Sequence, residues 1–579
     1  MKINSARGRG AAAIVASVAL LGGTASLATA PAQSAALAGD CAQPYPVAEV
    51  ADGQTVDGLT VSDGTTPEAF TGEVLGVIND GIAPGLDMVM ARLTSEEIDR
   101  VGIWQGMSGS PVYAEDGRLI GAVAYGLAWG PSPVAGITPF EDMDDYLGAD
   151  AAPMTVQVGD RAAKAIAADS AVTAGQASQG FSQLPMPMGL SGLSQKRLTQ
   201  VKKKGPDYLH TRGAVATGAA SAAVDAGPES LVAGGNLGAA ISYGDITAGG
   251  VGTVTSVCDD RLVGFGHPMT FGGETTLGLM PADAVYVQED PVGPGFKVAN
   301  MGVPAGTIDQ DRLTGISGSL GVMPPETDVT STVTYGDRFR TGSTASLVQD
   351  YNADITFYQI LANHDRVVDA IQPGTEVATY SVSGTDADGN AFDIDFGDRY
   401  TSDYDIAYEG IFEIADLVYV LSRMAGVTVD EITATADVID DTSKYRLRMV
   451  EQKRGGEWVE IGRRQPAVAT PGGVVRLRAT LGSDGVKHLV PLVLDVPEET
   501  RRQGYLEILG GASTWDNGVY RAKTPAQAAE AIETMVRNDE VVANLYFSRR
   551  GAAAPAGAVS GAQDLVVRGR TFAEVIVRR

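Results

Sequence analysis

Glycine and proline interrupt this chain so often that long helices have little room, for 72 of its 579 residues are glycine and 28 are proline. Both destabilise helix interiors, glycine through backbone entropy and proline through its missing N–H. Charged residues make up only 20% of the chain and hydrophobic ones 44%. That balance fits neither a disordered chain nor a helical bundle; loop-rich, mainly β domains are expected. At about 150 residues per domain the length accommodates three or four.

The charge balance excludes several functions. Against 43 Lys+Arg stand 71 Asp+Glu, a formal net charge of −28. Such a surface repels phosphate backbones, so neither a nucleic-acid partner nor polybasic membrane docking is expected. Two cysteines exclude a disulfide scaffold and a cysteine-based zinc module. The four histidines, His210, His267, His364 and His488, contain no pair at metal-ligand spacing. No metal and no cofactor are therefore expected.

The N-terminus has the order of an export signal. Lys2, Arg7 and Arg9 precede an apolar run from Ala11 to Leu21, and small residues continue to Ala38. Cleavage after Ala38 fits better than after Ala30, which would leave Pro31 first. Removal of residues 1–38 deletes three cations and no acid, and no later segment is long and apolar enough to span a bilayer. A secreted or cell-surface location outside the cytoplasm follows. In an oxidising compartment Cys41 and Cys258 can pair; otherwise they remain free thiols.

Along the chain, residues 39–150 read as short strands with Gly and Asp turns. Residues 151–228 are an Ala/Gly/Ser-rich connector with one helix near Gln195–Lys204, its Lys202–Lys204 cluster a solvated face. Strands resume near Leu231. Ile411, Ile414, Leu417, Val418 and Leu421 then follow helical spacing between Tyr408 and Ala425, closing a region 229–426. Residues 427–579 form a β-rich C-terminal domain. Val475, Leu477, Ala479 and Leu481 alternate with polar neighbours, and Val427–Gly511 reads as a small β-sandwich. Thr524-Pro525-Ala526-Gln527 caps a further helix.

The chemistry concentrates at Gly106-Met107-Ser108-Gly109-Ser110-Pro111, a Gly-flanked serine on a tight turn. A strand, an Asp116-Gly117 turn and a second strand ending near Tyr125 follow it. Small flanks let an acyl carbonyl approach Ser108, and the N–H groups of Gly106 and Ser108 are placed to hold an oxyanion. A lipase-type elbow needs Gly-x-Ser-x-Gly before a helix; here Gly109 follows the serine directly and a strand comes next.

With Gly136-Ile137-Thr138-Pro139 downstream, this stretch is similar to the nucleophile half of chymotrypsin-like peptidases. From Val101 to Tyr125 it resembles the SpoIVB-type serine peptidases (peptidase family S55), whose serine sits in the same Gly-Met-Ser-Gly-Ser-Pro string. A second segment resembles the part of that family carrying the general base: Gly252-Thr253-Val254-Thr255-Ser256-Val257, then Val263-Gly264-Phe265-Gly266-His267-Pro268-Met269. The resemblance covers roughly Asp63–Leu147 and Leu231–Pro325. It implies a double β-barrel with Ser108 as nucleophile and His267 as base.

Two departures stand out. Here the serine half precedes the histidine half, the reverse of the sporulation peptidases, so the barrels are expected in permuted order. The acidic residue that the family carries ahead of its serine has no direct counterpart in Thr94-Ser95-Glu96-Glu97-Ile98-Asp99. Asp87 and Asp99 are the candidates for the third catalytic residue, and a Ser–His dyad without an acid is the other arrangement. The expected function is a secreted serine endopeptidase acting on proteins or peptides, self-cleavage included. The alternative is a non-catalytic extracellular scaffold that binds protein or cell-wall polymer.

Overall fold

The computed structural model describes residues 41–127, 130–144, 163–164, 166–167, 173, 181–184, 189–210, 215–216, 220–221, 224–500, 503–514, 518–547 and 556–578. The expected export segment, 1–38, and about half of the expected connector lie outside them.

The first barrel is built from β1 (Thr55–Thr60), β2 (Glu68–Ala83), β3 (Leu86–Thr94), β4 (Pro111–Ala114), β5 (Leu119–Leu127) and β6 (Val134–Pro139). They pair antiparallel in the order β1-β2-β3-β6-β5-β4, and β4 returns to β1, so the sheet closes. Closure removes the unpaired strand edges of an open sheet. Val56, Phe70, Leu93, Val112, Ile120 and Ile137 fill its interior. Every residue of β5 is buried, because its outer face meets the second barrel as well: Ala124 shares a cluster with Leu313.

That second barrel uses β7 (Asn236–Gly244), β8 (Ala248–Cys258), β9 (Arg261–Gly264), β10 (Gly273–Gln288), β12 (Gly306–Arg312) and β13 (Gly315–Leu320). Its antiparallel order is β7-β10-β12-β13-β9-β8, closed by β8 on β7. The strand β11 (Phe296–Met301) pairs with β10 outside the ring. The chain is thus a mainly β protein with two closed six-stranded barrels, the serine turn on the first and the histidine turn on the second.

Beyond β7 the sheet continues through Arg338–Ser346, Thr327–Tyr335, Thr428–Ile439, Gly374–Thr385 and Ala391–Ser402. Helices Asn352–Val368 and Phe412–Ser422 share its core. The second helix lies where its spacing places it. The first falls in the stretch after Leu231 where only strands are expected, and the reason is physical. Only Asp365 and Arg366 of its 17 residues escape burial, so no polar face exists to create a 3.6-residue period. Its buried polar side chains are bonded instead: Asn352 to Thr327, Gln359 to Ser331, and His364 Nε2 to Glu376 at 2.8 Å.

The sandwich boundary also moves. Thr428–Ile439 pairs in parallel with Thr327–Tyr335 and so belongs to the barrel-linked sheet, not to the C-terminal domain. The sandwich begins at Tyr445 and consists of two five-stranded sheets that use strands as late as Arg570–Val577. Val475, Leu477, Ala479 and Leu481 are buried in it, as their alternation requires. Thr524 Oγ1 accepts from Gln527 N–H and caps the Pro525–Glu533 helix.

Cys41 and Cys258 form a disulfide across a sequence separation of 217, tying the N-terminal segment to the end of β8. Pro44 and Tyr45 of that segment also pair with Leu119. Closing so long a loop restricts the unfolded chain. A Cys41→Ala/Cys258→Ala variant should lose about 5 kcal/mol of unfolding free energy in urea titrations against the oxidised protein.

Candidate active site

The serine turn connects the Glu96–Val101 helix to β4 and passes between the barrels. Gly106 and Gly109 adopt φ of 98° and 99°, a region costly for any residue with a side chain. Space forbids one too: a Cβ at Gly109 would lie 1.9 Å from the Thr253 carbonyl oxygen. The turn is held from both sides. Ser110 Oγ donates to Thr60 Oγ1 of β1 at 2.9 Å. From β8, Thr253 N–H donates to Ser108 O at 2.8 Å, while the Thr253 and Thr255 hydroxyls donate to Gly106 O and Gly109 O. The N–H groups of Gly106 and Ser108 have no acceptor among the described residues. They remain available to a developing oxyanion, as their spacing around the serine implies.

The histidine turn follows β9. Phe265 and Gly266 take φ of 70° and 68° in succession, and Thr138 Oγ1 of β6 donates to Gly266 O at 2.6 Å. This brings His267 Nε2 to 2.8 Å from Ser108 Oγ across 159 residues of sequence. His267 Nδ1 lies 2.8 Å from the Pro268 carbonyl oxygen. A carbonyl only accepts, so Nδ1 carries the hydrogen and the Nε2 lone pair faces the serine hydroxyl. That is the tautomer a general base needs.

Neither acidic candidate completes the site. Asp99 is exposed and accepts from Thr94 Oγ1; Asp87 accepts from Asp80 N–H in the β2–β3 hairpin. The acceptor facing Nδ1 is the Pro268 carbonyl, and neither candidate carboxylate takes that place. An acid does act one step further out, and it escaped the sequence reading. Asp311 of β12, fully buried, accepts from Met269 N–H at 2.8 Å and from Thr270 N–H and Oγ1–H at 2.7 Å each. It anchors the backbone immediately after Pro268. Its only trace in the sequence is the run of N–H groups after His267, which needs an acceptor from somewhere.

Ser108 is 4% exposed and His267 fully buried. Burial pulls the imidazole pKa down to about 4, against the Pro268 carbonyl and the Asp311 charge, which both favour the imidazolium. His267 is therefore neutral, the base-competent form, at every pH above about 4. An ordinary imidazole at pH 5.5 is only about one-tenth neutral. Ser108 acylation by a fluorophosphonate should keep its full rate at pH 5.5 and fall with a midpoint near 4. A midpoint near 6.5 would contradict the assigned environment.

Beside the serine turn, Lys297 of β11 is buried, with Nζ donating to Asn236 Oδ1 at 2.8 Å. Burial lowers its pKa to about 7. Its Cβ would stand 2.8 Å from a Cβ at Gly106, a second reason for glycine there. The remaining histidines are elsewhere: His210 on Asp354, His364 on Glu376, and His488 stacked on Tyr445. Among the described residues the one acid–cysteine cluster of metal-ligating type contains the disulfide pair itself.

Two six-stranded barrels holding a serine–imidazole pair at their junction define the architecture and the site. Comparison with protein-family models, with curated proteins and with solved structures finds no match.

Proposed function

We propose that the protein is a serine endopeptidase exported from the cytoplasm, similar in its serine and histidine segments to the SpoIVB-type peptidases. The observation that carries this reading is the 2.8 Å contact from His267 Nε2 to Ser108 Oγ, with Nδ1 already committed to Pro268. Ser108 attacks a peptide carbonyl and His267 takes its proton. The Gly106 and Ser108 N–H groups hold the oxyanion, and His267 returns the proton to the leaving amine. Water then deacylates the serine by the same base. Export is supported by the N-terminal signal pattern and by a disulfide, a bond that persists in oxidising compartments.

The test is covalent. A fluorophosphonate probe should label the purified protein at Ser108, located by mass spectrometry, and leave Ser108→Ala unlabelled. Folded protein that takes up no probe favours the non-catalytic scaffold.

A further inference from the structure

A cavity of ≈ 500 Å³ opens beside the histidine turn, with neither Ser108 nor His267 in its lining. Thr270, the residue whose hydroxyl and N–H are held by Asp311, forms part of its wall. Because Thr270 is three residues from His267, that wall begins within about 10 Å of the base. Asp311 also lies within electrostatic range of Tyr351 on another wall.

The lining is chemically specific. Leu190, Ile241 and Ile355 provide an aliphatic side; Tyr208, Tyr351 and Tyr358 contribute three aromatic rings. Asp354, 2% exposed, is the buried acid of the cavity. His210 occupies two of its acceptor positions, through its N–H and through Nδ1 at 3.1 Å. A carboxylate has about four. The Tyr358 hydroxyl is buried and has no hydrogen-bond partner among the described residues. Asp207 adds a second carboxylate to the lining.

Aliphatic walls, tyrosine faces and a buried carboxylate with acceptor capacity left over match a cation on an aliphatic stem. We propose that this cavity is a subsite for a lysine or arginine side chain of a peptide lying across the Ser108–His267 site. The stem packs on Leu190, Ile241 and Ile355, and the cationic head meets Asp354 and the Tyr358 hydroxyl. This inference rests on the endopeptidase reading for its role, though not for the binding itself.

The experiment compares N-acetyl-arginine amide with N-acetyl-citrulline amide, nearly isosteric but uncharged, by calorimetry on the full chain. Arginine amide should bind at least ten-fold more tightly. Asp354→Asn should remove that preference, and Tyr358→Phe should weaken binding of the arginine amide. Equal affinities in the unmodified protein, or a preference that survives Asp354→Asn, would overturn the subsite; the unmodified-protein comparison needs no variant to fold. Charge-selective binding without fluorophosphonate labelling of Ser108 would keep the cation site and remove the peptidase reading. Labelling without charge selectivity would do the reverse.

Discussion

His267→Ala should slow acylation of Ser108 by about a million-fold, the loss expected when the base of a coupled serine–histidine pair is removed. The geometry explains the size. Nε2 accepts from Ser108 Oγ at 2.8 Å, and the nearby amine, Lys297 Nζ, is bonded to Asn236 instead. With His267 gone, the serine keeps its proton and only substrate placement and the Gly106 and Ser108 N–H groups remain. Those alone sustain about 10³–10⁴-fold over water. His267 is fully buried, so truncation also leaves a cavity. His267→Gln restores most of the volume and should be equally slow, which separates lost chemistry from lost packing. Stopped-flow or quenched labelling measures both, with thermal melts as the folding control. A variant that labelled at a rate near that of the unmodified protein would remove His267 from the mechanism.

Asp311→Ala carries the second large effect. It strips the acceptor from Met269 N–H, Thr270 N–H and Thr270 Oγ1–H at once. Leaving three part-buried donors, each of which faces the Asp311 carboxylate, without that acceptor costs about 1–3 kcal/mol of stability. It also frees the Pro268 carbonyl that orients the imidazole, so acylation should fall at least a hundred-fold. Asp311→Asn distinguishes positioning from folding. It preserves the shape but removes a charge that favours the imidazolium. The acid limb of the labelling profile should therefore move below 4, while a purely structural role would leave it in place. An unchanged limb in a folded Asp311→Asn protein would limit Asp311 to holding the loop.

How far the sequence was legible depended on range. The Thr524 cap, the Gln195–Lys204 helix and the alternation from Val475 to Leu481 all stand where the sequence placed them. Each follows from neighbours within a few positions. The Asn352–Val368 helix did not announce itself, since burial on nearly all sides erased its period. The sandwich boundary failed for another reason: Thr428–Ile439 alternates like any strand, and only its parallel pairing with Thr327–Tyr335 assigns it to a sheet.

The same division runs through the site. Local composition by itself determined that Ser108 sits on a glycine-flanked turn and His267 on another, because positive φ and close backbone approach demand glycine on the spot. Cys41 and Cys258 were visible as a pair because there are only two. What the tertiary structure alone decided is which groups serve those turns. Two closed barrels bring together residues 159 positions apart. They set Pro268 O rather than Asp87 or Asp99 against the imidazole, and place Asp311 behind it. Contacts made across a barrel junction depend on strand order and closure, and neither leaves a periodic mark along the chain.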